Sequence, residues 1–291
     1  MNDVGNIQWF PGHMTKTRRL IEADLKMVDA VVEITDARIP ESSRNPILDE
    51  LVKDKPRIIL MNKCDYADET ATRAWKQYYE KKGIRVLTCD CRSGKGLNAF
   101  LPEVKRLLAE LIERRKKRGM IGKALRLMVV GIPNVGKSSF INRMAKTKKT
   151  KVGDKPGVTR GKQWVSIDKD VELLDMPGIL WPKFDDQLAA QRLAFTGAIK
   201  DDVMDTEALA RALGAVLKEQ YPDLLNARYK LTGDEDILRD IAKSRGMLVS
   251  GGEPDTERAA AALLDEYRGG KIGRITLEKP GRLAGAAHSD E

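Results

Sequence analysis

The eight residues Gly131-Ile132-Pro133-Asn134-Val135-Gly136-Lys137-Ser138 constrain this 291-residue chain more than any other stretch. They match GxxxxGK[ST] and stand between an apolar, β-branched run, LRLMVVG (Leu125–Gly131), and the helix-like SSFINRMA. A buried strand that delivers the chain into a glycine-rich turn and then a helix N-terminus lets backbone N–H groups converge on phosphate oxygens. Val135, Gly136, Lys137, Ser138 and Ser139 would then surround a nucleotide's phosphates, with the Lys137 ammonium at the β/γ-phosphates and the Ser138 hydroxyl on Mg2+. Such a loop demands an α/β fold. VDAVVEI (Val28–Ile34), RIILM (Arg57–Met61) and GIRVLTC (Gly83–Cys89) meet that demand. Their hydrophobicity is continuous rather than alternating, which predicts parallel strands buried on both faces. QWVSI (Gln163–Ile167) and VELLDM (Val171–Met176) flank the turn Asp168-Lys169-Asp170 and predict a hairpin. Apolar residues at three- and four-residue steps predict one helix over Ala99–Arg118, ending in a run of cations that suits a helix C-terminus.

Two further motifs sit at strand ends. Asp175-Met176-Pro177-Gly178 closes the hairpin about 40 residues after Lys137. Its carboxylate would hold Mg2+ through water, and the Gly178 N–H would meet the γ-phosphate. Asn62-Lys63-Cys64-Asp65 follows RIILM. Asp65 can accept hydrogen bonds from a guanine N1–H and exocyclic amine, which adenine does not offer, while Asn62 braces the loop and the Lys63 stem covers the base. A simple turn after a strand is the alternative.

Beyond Asp185 the strand pattern stops and Ala/Leu-rich stretches with helical periodicity take over. The expected division is an α/β domain at 1–185 and a smaller all-α domain at 186–291. GRITLEKP (Gly273–Pro280) is expected as a short extended arm, and the tail from Gly281 as disordered. Three cysteines are too few for a disulfide framework, so a reducing compartment fits, and no apolar run approaches a membrane span. A surplus of nine positive charges favours a polyanionic partner, although it also serves solubility.

These motifs resemble the G1, G3 and G4 boxes of translation-factor-class GTPases. PGVTRG (Pro156–Gly161) is similar to G2, with Thr159 as a magnesium ligand, and Asp90-Cys91 occupies the G5 position where Ser-Ala is usual. NKCD precedes the phosphate loop by about 70 residues. The resulting order, G4-G5-G1-G2-G3, marks circularly permuted GTPases. With IQWFPGHM (Ile7–Met14), DARIP (Asp36–Pro40) and the helical C-terminal part, nearly the whole chain resembles the YlqF/RbgA family of ribosome biogenesis GTPases. The resemblance implies a cytoplasmic, monomeric GTP hydrolase using GTP/GDP and Mg2+. It further implies that the protein binds a large (50S) ribosomal subunit precursor and couples hydrolysis to late maturation and its own release.

Ile179 stands where small GTPases carry a water-orienting Gln. The resemblance offers His13 as a substitute and Asn134 as a K+ ligand, so turnover is expected to be slow alone and stimulated by the particle. His13 beside Trp9 and Phe10 is equally read as an RNA or protein contact. Lys146 to Lys162 contribute a basic cluster around switch I, and Lys16, Arg18 and Arg19 adjoin the N-terminal aromatics. Both suit rRNA, the first being otherwise a solvated loop. The chain runs from DMPG straight into the helical part, which predicts a tether between nucleotide switch and second domain.

Overall fold

The computed structural model describes residues 14–52, 55–120, 122–147, 163–178, 186–199, 204–233 and 235–281. His13, Thr159, Ile179 and the tail from residue 282 lie outside them, as does most of the basic cluster around switch I. Strands β1 (Ala30–Asp36), β2 (Arg57–Asn62), β3 (Arg85–Thr88), β4 (Leu125–Val130), β5 (Trp164–Asp168) and β6 (Val171–Asp175) form one sheet in the order β3-β2-β1-β4-β6-β5. Every pairing is parallel except the β5–β6 hairpin. All seven residues of β1 are buried, which is why its hydrophobic run does not alternate. Of its two carboxylates, Glu33 is kept by Arg44 and Arg57 at 3.4 and 3.5 Å, and Asp36 by Arg38 and Lys63 at 2.7 and 2.9 Å.

From β1 the chain steps to β2 and β3 on one side, whereas β4, β6 and β5 extend the other. Winding therefore reverses between β1 and β4, and in open α/β sheets ligands bind outside the carboxyl ends of the strands at such a point. DARIP follows β1, NKCD follows β2, the Asp90-Cys91 pair follows β3, the phosphate loop follows β4, and DMPG includes the end of β6. All five motifs are thus delivered to one edge of the sheet.

Helices α1 (Met14–Leu25), α2 (Pro46–Leu51), α3 (Glu69–Lys81), α4 (Phe100–Leu107), α5 (Ala109–Lys117) and α6 (Lys137–Thr147) accompany the strands. The helix expected over Ala99–Arg118 is two, bent at Leu108 (φ −101°, ψ 17°). Phe100, Val104 and Leu108 pack on the sheet, whereas α5 buries no residue fully. Instead Arg115 draws its end onto Asp29 at 2.6 Å, so packing and charge pull the two halves along different lines.

Beyond residue 186 the described elements are helices: α7 (Gln187–Phe195), α8 (Thr206–Gln220), α9 (Pro222–Tyr229), α10 (Ile237–Ser244) and α11 (Thr256–Arg268). Asp186, Asp205, Asp236 and Asp255 cap four of them through side-chain acceptance of first-turn N–H groups. Each such cap contributes about 1 kcal/mol. Helix α9 starts directly after α8, with Pro222 at its first helical position. One apolar cluster runs from Val32 and Leu127 on the sheet and Phe140 on α6 to Leu193, Leu213 and Leu263 in these helices. The helical region is therefore packed onto the α/β region rather than hung from it.

Gly273–Pro280 is extended, as expected, but it is no free arm. Ile275, Thr276, Leu277 and Glu278 are buried. Ile275 N–H donates to Tyr66 O and Leu277 N–H to Arg38 O, both at 2.8 Å. Glu278 accepts from the Glu41 and Ser42 N–H groups and the Ser42 hydroxyl, and pairs with Arg192 at 3.3 Å. The arm thus straps the DARIP and NKCD loops from behind.

Candidate nucleotide site

At the base end, Asn62 ties three loops together. Its Nδ2 donates to Val135 O in the phosphate loop (2.7 Å), and its Oδ1 accepts from Cys91 N–H (2.9 Å). Gly136 (φ +104°) must be glycine here, because a Cβ would run into Asn62 Nδ2. Lys63 adopts φ +60° and donates from Nζ to Asn134 O at 2.9 Å. Asp90 takes the place of the usual Ser by accepting from Arg92 N–H (2.8 Å) and Ser93 N–H (3.1 Å), which folds the loop around it. Burial pushes the Asp90 carboxyl up, but these hydrogen bonds outweigh it and hold it below its ordinary range.

Asp65 carries the most informative atom. Its Oδ1 is buried and has no hydrogen-bond partner among the described residues, while Oδ2 lies 3.7 Å from Arg92 Nη2. An unsatisfied buried carboxylate oxygen costs about 1–3 kcal/mol or more unless a ligand donates to it. A guanine edge, with two adjacent donors, fits that need.

At the phosphate end Lys137 is buried, and its Nζ donates to Gly131 O and Ile132 O, both at 3.0 Å. Burial pushes its ammonium down to about 8, against the opposing pull of Asp175. Ser138 and Ser139 are exposed in the first turn of α6. Asp175 is half-buried, burial raises its pKa, and among the described residues its carboxylate has no hydrogen-bond partner. An exposed hydroxyl and an unclaimed carboxylate fit a hard divalent cation such as Mg2+, which when bound would neutralise phosphate charge. Gly178 closes this end: a Cβ there would come within 3.0 Å of Lys137 Nζ and 3.1 Å of Pro133.

Asn134, exposed at φ +57°, donates from Nδ2 to Gly197 O at 2.7 Å, so its amide is oriented by the end of α7. Sequence reasoning named base-end and phosphate-end residues that lie at the carboxyl ends of these neighbouring strands, apart from His13 and Thr159, which are not described. It missed Asp36 and Arg38. Asp36 Oδ2 holds Lys63 Nζ at 2.9 Å, and Arg38 Nη2 holds the same oxygen at 2.7 Å. The available signal was positional: DARIP, like NKCD, follows a buried strand at the same edge of the sheet.

Residues 126–225 match the family described as 50S ribosome-binding GTPase. The chain is 48% identical to ribosome biogenesis GTPase A of Bacillus licheniformis over 281 residues, covering 94% of this chain and 98% of that protein. It is similar in structure to GDP-bound YlqF (TM-score 0.64, 29% identity, 90% of this chain and 99% of that one). GNP-bound YlqF from T. maritima gives a TM-score of 0.62 at 30% identity, covering 91% of this chain and 99% of that one. A relative of this identity, aligned over nearly the full length of both chains, joins the motif geometry to a lineage: the chain belongs to the ribosome biogenesis GTPase A (YlqF/RbgA) family.

Proposed function

We propose that this protein is a GTP hydrolase that binds a large (50S) ribosomal subunit precursor and couples hydrolysis to late maturation and its own release. The observation that carries the guanine assignment is the partnerless Asp65 Oδ1, set beside an Asn62 that already bridges the phosphate loop and the Cys91 N–H. The G domain is read as circularly permuted, G4-G5-G1-G2-G3, spanning residues 1–185 and followed by a helical effector domain at 186–291. Asn62, Lys63, Asp65, Asp90 and Cys91 would hold the base. Val135 to Ser139 and Gly178 would hold the phosphates, with Ser138, Thr159 and Asp175 around Mg2+.

The ribosomal partner is supported by family membership, and the precursor is its most economical form for a factor that must leave. Hydrolysis is read as slow in the isolated protein, with His13 aiding water attack and Asn134 offering a K+ ligand. Among the described residues no helix is long and apolar enough to cross a membrane. We place the protein in the cytoplasm as a monomer. Two measurements test the whole. GTP should displace a labelled guanine nucleotide far better than ATP does, and a non-hydrolysable GTP analogue should make the protein sediment with large-subunit particles. Preference for ATP would overturn the guanine assignment; sedimentation unaffected by nucleotide would overturn the ribosomal role.

A further inference from the structure

The DARIP loop is fastened on one side to the base-recognition loop and on the other to the helical region. Lys63 Nζ lies 2.9 Å from Asn134 O and 2.9 Å from Asp36 Oδ2. Asp36 is in turn gripped by Arg38, with Nε donating to Oδ1 at 2.9 Å and Nη2 to Oδ2 at 2.7 Å. Both side chains are no more than 2% exposed. The remaining Arg38 nitrogen, Nη1, donates to Tyr267 O (3.3 Å) and Arg268 O (3.2 Å), the final carbonyls of α11.

From there the contacts continue. Arg268 donates from Nε to Phe195 O (3.1 Å) and from Nη2 to Ala194 O (2.9 Å) at the end of α7. Two residues on, Gly197 O receives the Asn134 amide of the phosphate loop. The circuit closes on itself: Lys63, Asp36, Arg38, the end of α11, Arg268, the end of α7, and back to Asn134. None of it passes through the chain connection between DMPG and α7.

We propose that Asp36 and Arg38 are positioning residues for guanine-nucleotide binding, which hold Lys63 in place and tie nucleotide occupancy to the seating of α11 and α7. The proposal rests on the guanine reading of the NKCD loop. A buried carboxylate shared by an ammonium and a bidentate guanidinium is stiff, because displacing one partner leaves another charge uncompensated. A base that fixes the Lys63 stem therefore biases Arg38 and, through it, the end of α11. By linkage, a partner that lifts α11 must loosen the nucleotide by the same factor.

The experiment compares wild type with Arg38→Met and with Arg268→Met, whose side chain donates to Phe195 O and Ala194 O at the end of α7. Each is checked for cooperative unfolding, for GDP affinity, and for GDP-induced slowing of amide hydrogen exchange over residues 266–271. We expect wild type to show the slowing. Both variants should bind GDP about tenfold more weakly and lose the slowing, a loss that general destabilisation would not produce in a cooperatively folded protein. If Arg38→Met does not fold, Arg268→Met decides by the same two measurements. Wild-type GDP affinity together with intact slowing in the folded variants overturns the proposal alone. A wild-type protein that prefers ATP overturns the guanine reading and the proposal with it.

Discussion

At the base end of the site nearly every polar group already has a partner in the protein, whereas at the phosphate end the key groups are exposed or turned onto the loop's own carbonyls. Asn62 is satisfied on both amide atoms by the two neighbouring loops, and Lys63 by Asp36 and Asn134. Asp65 Oδ1 is the exception that a base would fill. Lys137, by contrast, spends its ammonium on Gly131 O and Ile132 O, and among the described residues Ser138 and Asp175 have no such brace. The base end is built for recognition before the ligand arrives. On the reading proposed above, the phosphate end would acquire its arrangement from the ligand, which is what a site needs if loss of one phosphate is to change it.

The difference can be broken most severely at Lys137. Lys137→Ala removes a buried cation from the candidate phosphate end, and truncating one partner of a buried charge pair costs about 2–5 kcal/mol. GDP and GTP affinity should fall about 10²–10³-fold. Guanosine, which lacks phosphates, should bind the variant as it binds wild type. Equal losses for the nucleoside and the nucleotides, read by calorimetric titration, would mean that the two ends are not separable.

A smaller effect is expected at Asp65, where a hydrogen bond to a charged group contributes about 1.5–3 kcal/mol. Asp65→Asn exchanges one acceptor for a donor facing the guanine amine. GTP should bind about 10–10²-fold more weakly, and xanthosine triphosphate, which carries an oxygen in place of that amine, should recover most of the loss. Unaltered base preference in competition assays would remove Asp65 from base recognition.

The sequence made the sheet legible because its parallel strands carry apolar runs and the β5–β6 pair flanks a turn, and it marked both ends of the candidate site by motifs of fixed spacing. Its blind spots have physical reasons. Leu108 interrupts a helix whose periodicity is unbroken, and near the end of its second half Arg115 reaches Asp29, a contact 86 residues distant in the chain. The stretch Gly273–Pro280 reads as an extended arm, and its composition does not reveal that it is buried. Its burial depends on Thr276, Glu278 and backbone groups meeting loops more than 200 residues earlier. Arg38 would pass as a surface charge, and only the carbonyls at the end of α11 turn it into a buried bridge.

The finest test of the comparison is pH. Burial pushes Lys137 from an ordinary lysine value down to about 8 in the nucleotide-free protein. Phosphates favour the charged form, so above that value binding must take up a proton. Affinity for GDP should be flat from pH 7 to about 8 and then weaken, approaching tenfold per further pH unit. The same group has the opposite effect on folding without ligand. Its pKa is lower folded than unfolded, so the unfolded chain binds more protons between pH 8 and the ordinary lysine value, and this group's contribution to stability rises with pH there. No such response should come from the base end. Burial pushes the Asp36 carboxyl up, but Arg38 and Lys63 outweigh it and keep it ionised. The Cys91 contact and burial push the Cys89 thiol up, and burial does the same for Cys64, so both stay neutral. Guanosine affinity should therefore not follow pH between 7 and 9, while calorimetry of GDP binding at pH 8.5 in buffers of different ionisation enthalpy should register proton uptake. A pH-independent GDP affinity would show that the Lys137 ammonium is already held at full charge without phosphate, and that the phosphate end is as preformed as the base end.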